Sequence, residues 1–393
     1  MLTSSDDTSV AVLERDQNNA RLHFHEKVTA DLTAYGGVHP VRALESHQEN
    51  LAGLVDRSLS HTPSQKPDFV SVTRGPGMRS NLSTGLDFAK GLAVAWRLPL
   101  VGVHHMQAHL LTPRLVSALA NNNVLKPSFP FLSILVSGGH SMLVHSTSLT
   151  NHSILASTGD IAVGDALDKA AREILPDSVL SSAKSTMYGR LLEQFAFPNG
   201  PADYESYRAP ATRGEEIERA RLHAPRPEWA VSTPFAESRE LAFSFGHLSS
   251  LLAKLAHEKK QGGLSHDERV VLAREVMRSC FEHLASRTVI ALESLSQQGT
   301  VPKTLVVSGG VAANRFLMAI LRRFLETRGF GDVQIVVPPG ELCTDNAAMV
   351  GWAGTEMFLA GWRSELSVRP LRRWSLEAEE GQGLLGVGGW VNN

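Results

Sequence analysis

The sequence predicts an α/β protein with a largely parallel sheet, and three observations carry that expectation. From residue 68 onward, buried-strand runs alternate with runs of helical spacing, the order that crossover helices on a parallel sheet require. Glycine turns at 74–77, 137–139 and 308–310 punctuate the alternation. The chain has 393 residues, which is long for one small core and comfortable for two lobes.

Taken in order, "MLTSSDDTSVAVL" turns after two residues, so nearly all of a first strand is expected to be missing. It shows neither a signal peptide nor an Arg-rich transit segment. "DFVSVT" (68–73) reads as a buried strand, "RGPG" as a turn, "LSTGLDFAKGLAVAWRL" as a helix and "LPLVGV" as a second strand. "FLSILVSGGHSMLVHS" (131–146) is two β-rich runs joined by Gly138-Gly139, a hairpin signature. Helices follow at "DALDKAAREIL" and "ERVVLAREVMRSCFEHLASRTVIALESL". "KTLVVSGGVAANRFLMAILRRFLETRG" is strand, glycine pair and amphipathic helix; "DVQIVVPP" is a strand and "DNAAMVGWAGTEMFLAG" a last helix. The Gly-rich end, "EEGQGLLGVGGWVNN", lacks periodicity and reads as a loose tail.

Composition narrows the function classes. Apolar residues make up 42% and charged residues 20%, as in a soluble globular protein, and no run approaches the ~20 apolar residues that span a bilayer. The net charge of -2 means that any contact with nucleic acid must come from a local basic patch. Cys280 and Cys343 are too few for a disulfide framework and suit a reducing compartment.

Two features carry chemistry. "ILVSGG" and "LVVSGG" are the same device, a strand ending in Ser-Gly-Gly at Ser137 and at Ser308. Gly-Gly can simply make a turn; equally, two glycines let the backbone approach an anion with amide hydrogens aimed at it, and a helix N-terminus following the second copy would add to that. The other feature is "VGVHHMQAHLL". On a helix His105 and His109 share a face while His104 does not, so the pair could ligate zinc or iron with a distant carboxylate, or could be core histidines bonded to carbonyls. Neither His105 nor any other histidine begins an H-E-x-x-H run, which argues against a zinc peptidase. Asp345 in "PPGELCTDNAAMV" sits at a loop-to-helix junction, where it could be the third ligand or an N-cap.

"SSDDTSVAVL", "ESHQENL", "RGPGMRSNLSTGLDFAKGLA", "HHMQAHLL", "LVSGGHSMLV", "GDALDKAARE", "SGGVAANRFL" and "CTDNAAMVGWAG" occur in an order that resembles the tRNA N6-adenosine threonylcarbamoyltransferases, the TsaD-type family. The match runs from about residue 3 to about residue 376 and is similar to the bacterial and mitochondrial branch; insertions such as "PDSVLSSAKSTM" (176–187) resemble a fungal mitochondrial member. The resemblance implies the actin-like ATPase fold, with nucleotide and metal in an interlobe cleft. Lobe one would comprise 1–128 plus about 346–376, lobe two 129–345, and 377–393 the tail. It implies transfer of the threonylcarbamoyl group from threonylcarbamoyl-adenylate to N6 of adenosine 37 in ANN-decoding tRNA, releasing AMP.

Carried onto this sequence, the resemblance implies His105, His109 and Asp345 as ligands of one divalent ion, iron or zinc, with no catalytic side chain beyond that centre. Leu135, Val136, Ser137, Gly138 and Gly139 would cradle the phosphate and acyl part, and Thr3–Thr8 would be a second phosphate loop. Asp168 would contact the ribose, Gly189 would match the second glycine of the family's "GGP", and Asn314 would lie near the adenine. A homodimer, a separate synthase supplying the adenylate, a mitochondrial location and no membrane association are implied as well. Ser5 replaces the usual cysteine, Gln107 the usual glutamate (read here as a helix-surface exchange), and "FSFGHLS" (243–249) the usual "FSFSGLK". Candidate phosphate contacts are Arg208, Arg213, Arg219, Arg221, Arg226 and the pair Arg372-Arg373, although acidic neighbours make a solvated helix face the stronger reading. The rival functions are a small-molecule kinase of the same fold and a catalytically degenerate binding subunit.

Overall fold

The N-terminal residues form an antiparallel ribbon of β1 (Leu2–Ser4), β2 (Asp7–Asp16) and β3 (Asn19–Thr29), with Ser4 opposite Asp7 across the first turn. These first residues are paired, and Leu2 and Thr3 are fully buried. The computed structural model describes residues 1–32, 39–63, 66–121, 124–183, 188–222, 233–260, 263–377 and 383–392. It divides into one unit of Met1–Phe131, His145–Ser153 and Pro338–Asn393, and another of Leu132–Val144 and Ile154–Val337.

In the first unit, α1 (Pro40–Leu59) has proline in its first turn, where no N–H is needed, and buries Ala43, His47, Leu51 and Leu54 at helical spacing. The glycine-punctuated run becomes β4 (Val70–Gly75), α2 (Arg79–Trp96), β5 (Leu100–His104) and α3 (His105–Leu119), with β4 and β5 parallel and Val72 opposite Gly102. The last helix, α12 (Ala347–Leu359), is apolar on nearly every side and correspondingly buried. β11 (Trp362–Ser364) and β12 (Trp390–Asn392) extend the sheet to the order β12-β11-β5-β4.

The described part of the Gly-rich end differs from the loose tail expected. Trp390 pairs with Ser364, its indole Nε1 donates to the Leu384 carbonyl, and the Arg74 guanidinium donates to the Gly388 carbonyl at 2.8 Å. Tryptophan and a backbone-satisfying arginine override glycine's freedom there.

The second unit is built on β6 (Phe131–Val136), β7 (Ser141–Ser146), β8 (His152–Ser157), β9 (Thr304–Ser308) and β10 (Gln334–Val336), in the order β10-β9-β6-β7-β8. β9 runs parallel to β6 and to β10, and β6–β7 is the expected hairpin. Its helices are α4 (Val163–Ile174), α5 (Asp177–Leu180), α6 (Gly189–Ala196), α7 (Arg213–Leu222), α8 (Leu248–Lys260), α9 (His266–Gln297) and α10 (Arg315–Thr327). α9 opens with a reciprocal Ser265–Glu268 capping box and runs through the core, burying Phe281, Leu284, Ala285 and Val289 against Phe243, Phe245 and Phe324. α11 (Gly340–Cys343) belongs to the first unit. The α/β class read from the sequence is the class observed.

Candidate metal centre and ligand loops

Three histidines crowd the β5–α3 junction, and they do two different jobs. His104 caps α3: its Nδ1 accepts from the backbone N–H of Met106 at 3.1 Å, and its Nε2 lies 3.0 Å from the Trp374 carbonyl. An accepting Nδ1 leaves the proton on Nε2, which donates to that carbonyl. His105 and His109, one turn apart, place their rings edge to face at 4.9 Å. Both Nε2 atoms converge on one oxygen, Asp345 Oδ1, at 3.3 and 3.1 Å. Pro113, inside α3, has no N–H to return to the His109 carbonyl.

The two readings of Asp345 separate here. Asn346 takes the cap of α12, its side chain accepting from the Met349 N–H at 2.9 Å, and leaves the neighbouring carboxylate to the histidines. Burial would push the Asp345 carboxyl up, but His105 and His109 by charge and hydrogen bond hold it well below the usual range. Burial opposes charge on His105 too, yet Asp345 outweighs it and the pKa rises; on His109 burial wins and the pKa falls.

The donor atoms of His105, His109 and Asp345 all lie within 4.8 Å of one another. Two imidazole nitrogens and a carboxylate oxygen aimed at one point suit a divalent zinc or iron ion and leave further positions open, so the residues fit the metal that the sequence implied. Asp7, the first residue of β2, interacts electrostatically with both Asp345 and His105; Lys27 at 3.3 Å and the Thr29 hydroxyl hold it.

Gln107 is not a surface exchange. It is fully buried, donates through Nε2 to the Leu149 carbonyl at 2.9 Å, and leaves Oε1 without a partner among the described residues. α3 is buried on all sides, so it has no surface face for Gln107 to occupy.

The second unit carries the other predicted residues. Leu135 and Val136 end β6, and Ser137 Oγ accepts from the N–H groups of Gly139 and His140, which shapes an open turn. A Cβ on Gly138 or Gly139 would meet nothing within 4 Å, whereas one on Gly164, at the start of α4, would strike the Ser137 carbonyl at 2.7 Å. The glycines are free for a ligand and are backed by a glycine that is not free. Asp168 Oδ1 accepts from the N–H groups of Tyr188 and Gly189 at 2.6 and 3.0 Å, which brings those two predicted residues together. Burial nevertheless raises the Asp168 pKa to about 6.

The second Ser-Gly-Gly does not open a vacant helix terminus. A short 3-10 turn, Gly310–Ala313, intervenes, Asn314 caps α10 by accepting from the Leu317 N–H, and Glu193 Oε1 accepts from the N–H groups of Arg315 and Phe316 at 2.7 and 3.2 Å. The anion expected there is the protein's own carboxylate. Sequence reading missed Glu193; only its place one turn after Gly189 on α6 hinted at it. Asn314 is buried, its Nδ2 facing Met277 Sδ, and a cavity of about 650 Å³ lined by Tyr204, Ala313, Arg315 and Met318 lies beside it. The altered "FSFGHLS" is pinned by Asp160, which accepts from Ser244 Oγ and from the N–H groups of Phe245 and Gly246.

Three of the candidate phosphate-contacting arginines are engaged within the protein. Arg208 donates to carbonyls of Glu205 and Tyr207, Arg213 to Glu216 and three carbonyls, and Arg219 engages Glu282 and the Arg208 carbonyl. The side chains of Arg221 and Arg226 lie outside the described residues; Arg372 and Arg373 are exposed. Among the described residues no helix is long and apolar enough to cross a membrane.

Comparison with known proteins gives these shapes a context. The sequence model of the tRNA N6-adenosine threonylcarbamoyltransferase family matches residues 23–352. The mitochondrial tRNA N6-adenosine threonylcarbamoyltransferase of Schizosaccharomyces pombe is 36% identical over 99% of this chain and 87% of its own length. The enzyme of the same name from Cereibacter sphaeroides is also 36% identical, over 95% of this chain and 93% of its own. The solved structure of HypF from T. kodakarensis aligns with a TM-score of 0.42 at 16% identity, covering 83% of this chain and 45% of that one.

Proposed function

The chain belongs to the tRNA N6-adenosine threonylcarbamoyltransferase family, and from that premise we propose how its residues carry out the transfer. It is a transferase of tRNA threonylcarbamoyladenosine modification. The donor in this reading is threonylcarbamoyl-adenylate and the acceptor is N6 of adenosine 37. A bond forms from N6 to the carbamoyl carbon, the bond from that carbon to the AMP phosphate oxygen breaks, and N6 gives up a proton.

His105 Nε2, His109 Nε2 and Asp345 Oδ1 would hold one divalent ion, iron or zinc. When bound, such an ion polarises the carbonyl under attack and offsets charge on the leaving phosphate. The protein does the rest by positioning. The turn of Gly138 and Gly139 offers backbone amides and no side chain to the phosphate and acyl part, with Leu135, Val136 and Ser137 fixing its approach. Asp168 spends Oδ1 on Tyr188 and Gly189 and keeps Oδ2 for a ribose hydroxyl. Asn314, whose oxygen caps α10 and whose amide nitrogen gives one N–H to Met277 Sδ, would offer its second N–H to the adenine. A homodimer, a separate synthase supplying the adenylate and a mitochondrial location complete the proposal; the S. pombe relative supports the last of these.

The convergence of His105 and His109 on Asp345 carries the metal part of the reading. The experiment is transfer of labelled threonylcarbamoyl from its adenylate to an unmodified ANN-decoding tRNA, with metal content measured in parallel. His109→Ala is expected to lose bound metal and more than about 100-fold in rate, since even residues that only orient ligands are worth 10–100-fold. Transfer that survives the substitution removes the metal assignment and leaves the reaction standing; no transfer by wild type overturns the reaction.

A further inference from the structure

Two of the motifs, "ESHQENL" and "RSNLSTGL", supply nothing to the centre just described, yet His47 and Asn81 within them are completely buried polar residues. Both face the turn between β1 and β2. Asn81 Nδ2 donates to the Ser5 carbonyl at 2.8 Å, and His47 Nδ1 lies 2.8 Å from Thr8 Oγ1. Burial lowers the His47 pKa against the Ser5 carbonyl, which acts on the same ring. Gly85, one turn after Asn81, donates its N–H to Thr3 Oγ1 at 3.1 Å, and a Cβ there would sit 2.5 Å from that oxygen.

What they hold is unusual. Ser5 has φ 53, the left-handed region, at the first central position of a two-residue hairpin turn. Glycine occupies that position readily; serine does so only where its surroundings over-determine it. The next residues out of the turn lead to Asp7, whose charge acts on His105 and Asp345.

We propose that Asn81 is a positioning residue: aided by His47 and Gly85, it locks the Ser5–Asp6 turn in its left-handed form and so fixes Asp7 against the His105, His109 and Asp345 cluster. The kinetic arm of its test rests on the transferase reading; the structural arm does not.

The test uses the full chain as Asn81→Ala, the nearly isosteric Asn81→Leu, and each combined with Ser5→Gly. Hydrogen exchange of residues 3–8 is followed by mass spectrometry, beside kcat and KM for the adenylate. Either single substitution is expected to speed exchange across 3–8 and to lower kcat/KM about tenfold, the scale of one lost buried hydrogen bond. Ser5→Gly restores both, because glycine takes the left-handed φ without help. A core residue that merely packs would show no such rescue. Unchanged exchange at 3–8, or exchange that rises throughout the chain and is not rescued by Ser5→Gly, overturns the proposal. If wild type transfers nothing, the exchange arm still decides this question while the functional reading fails by itself.

Discussion

The same tripeptide, Ser-Gly-Gly, ends two neighbouring parallel strands, with Leu135 opposite Ser308, and the two copies have opposite surroundings. Around Gly138 and Gly139 there is open space. Gly309 instead stands at φ 98 with its missing Cβ directed onto the Val136 carbonyl, and the helix beyond it is already closed by Asn314 and Glu193. One copy stands in open space, where the proposed ligand would approach; the other is glycine because its own neighbour is already close. A motif identifies a backbone device, and only its surroundings identify the job.

Substitution separates the two. Gly309→Ala meets both a forbidden φ and a backbone oxygen, so unfolding in urea is expected to show a loss of about 3 kcal/mol or more. Gly138→Ala is expected to leave that midpoint within about 0.5 kcal/mol and to raise KM for the adenylate roughly tenfold, because its methyl group would occupy ligand space. Equal stability losses in the two variants would erase the distinction.

The smallest effect is in pH. α4, whose Gly164 backs the open copy, also carries Asp168, with a pKa raised to about 6 by burial. A raised folded-state value means that this group favours folding when protonated. Its contribution is complete below the unfolded value of 3.8 and fades as pH climbs through about 6. Tm of the ligand-free protein between pH 4 and 7 should therefore lose part of its downward slope in Asp168→Asn; an unchanged slope would place the titration elsewhere.

Much of this was legible in the sequence because burial has a period. The strand–glycine–helix runs of 70–96 and 304–327 appear where spacing placed them, and the i, i+4 histidines share a face as spacing requires. Asp345 stayed ambiguous because Asp-Asn offers two capping residues in a row, and only geometry shows that Asn346 caps. Glu193 reaches its N–H partners across 122 residues, a distance no local pattern spans. Arg213 and Arg219 looked like a solvated face because their charges interleave with glutamates nearby, while their partners Ser286 and Glu282 lie far along the chain. Gln107 misled for the opposite reason: a polar residue on a helix buried all round gives no phase to read.

The span between His109 and Asp345, 236 residues, has a consequence in time. A ribosome making this chain has emitted both histidines long before the carboxylate exists, and the buried clamp of Arg114 on Glu356 beside them waits equally long. Whatever folds first must do so without the complete centre.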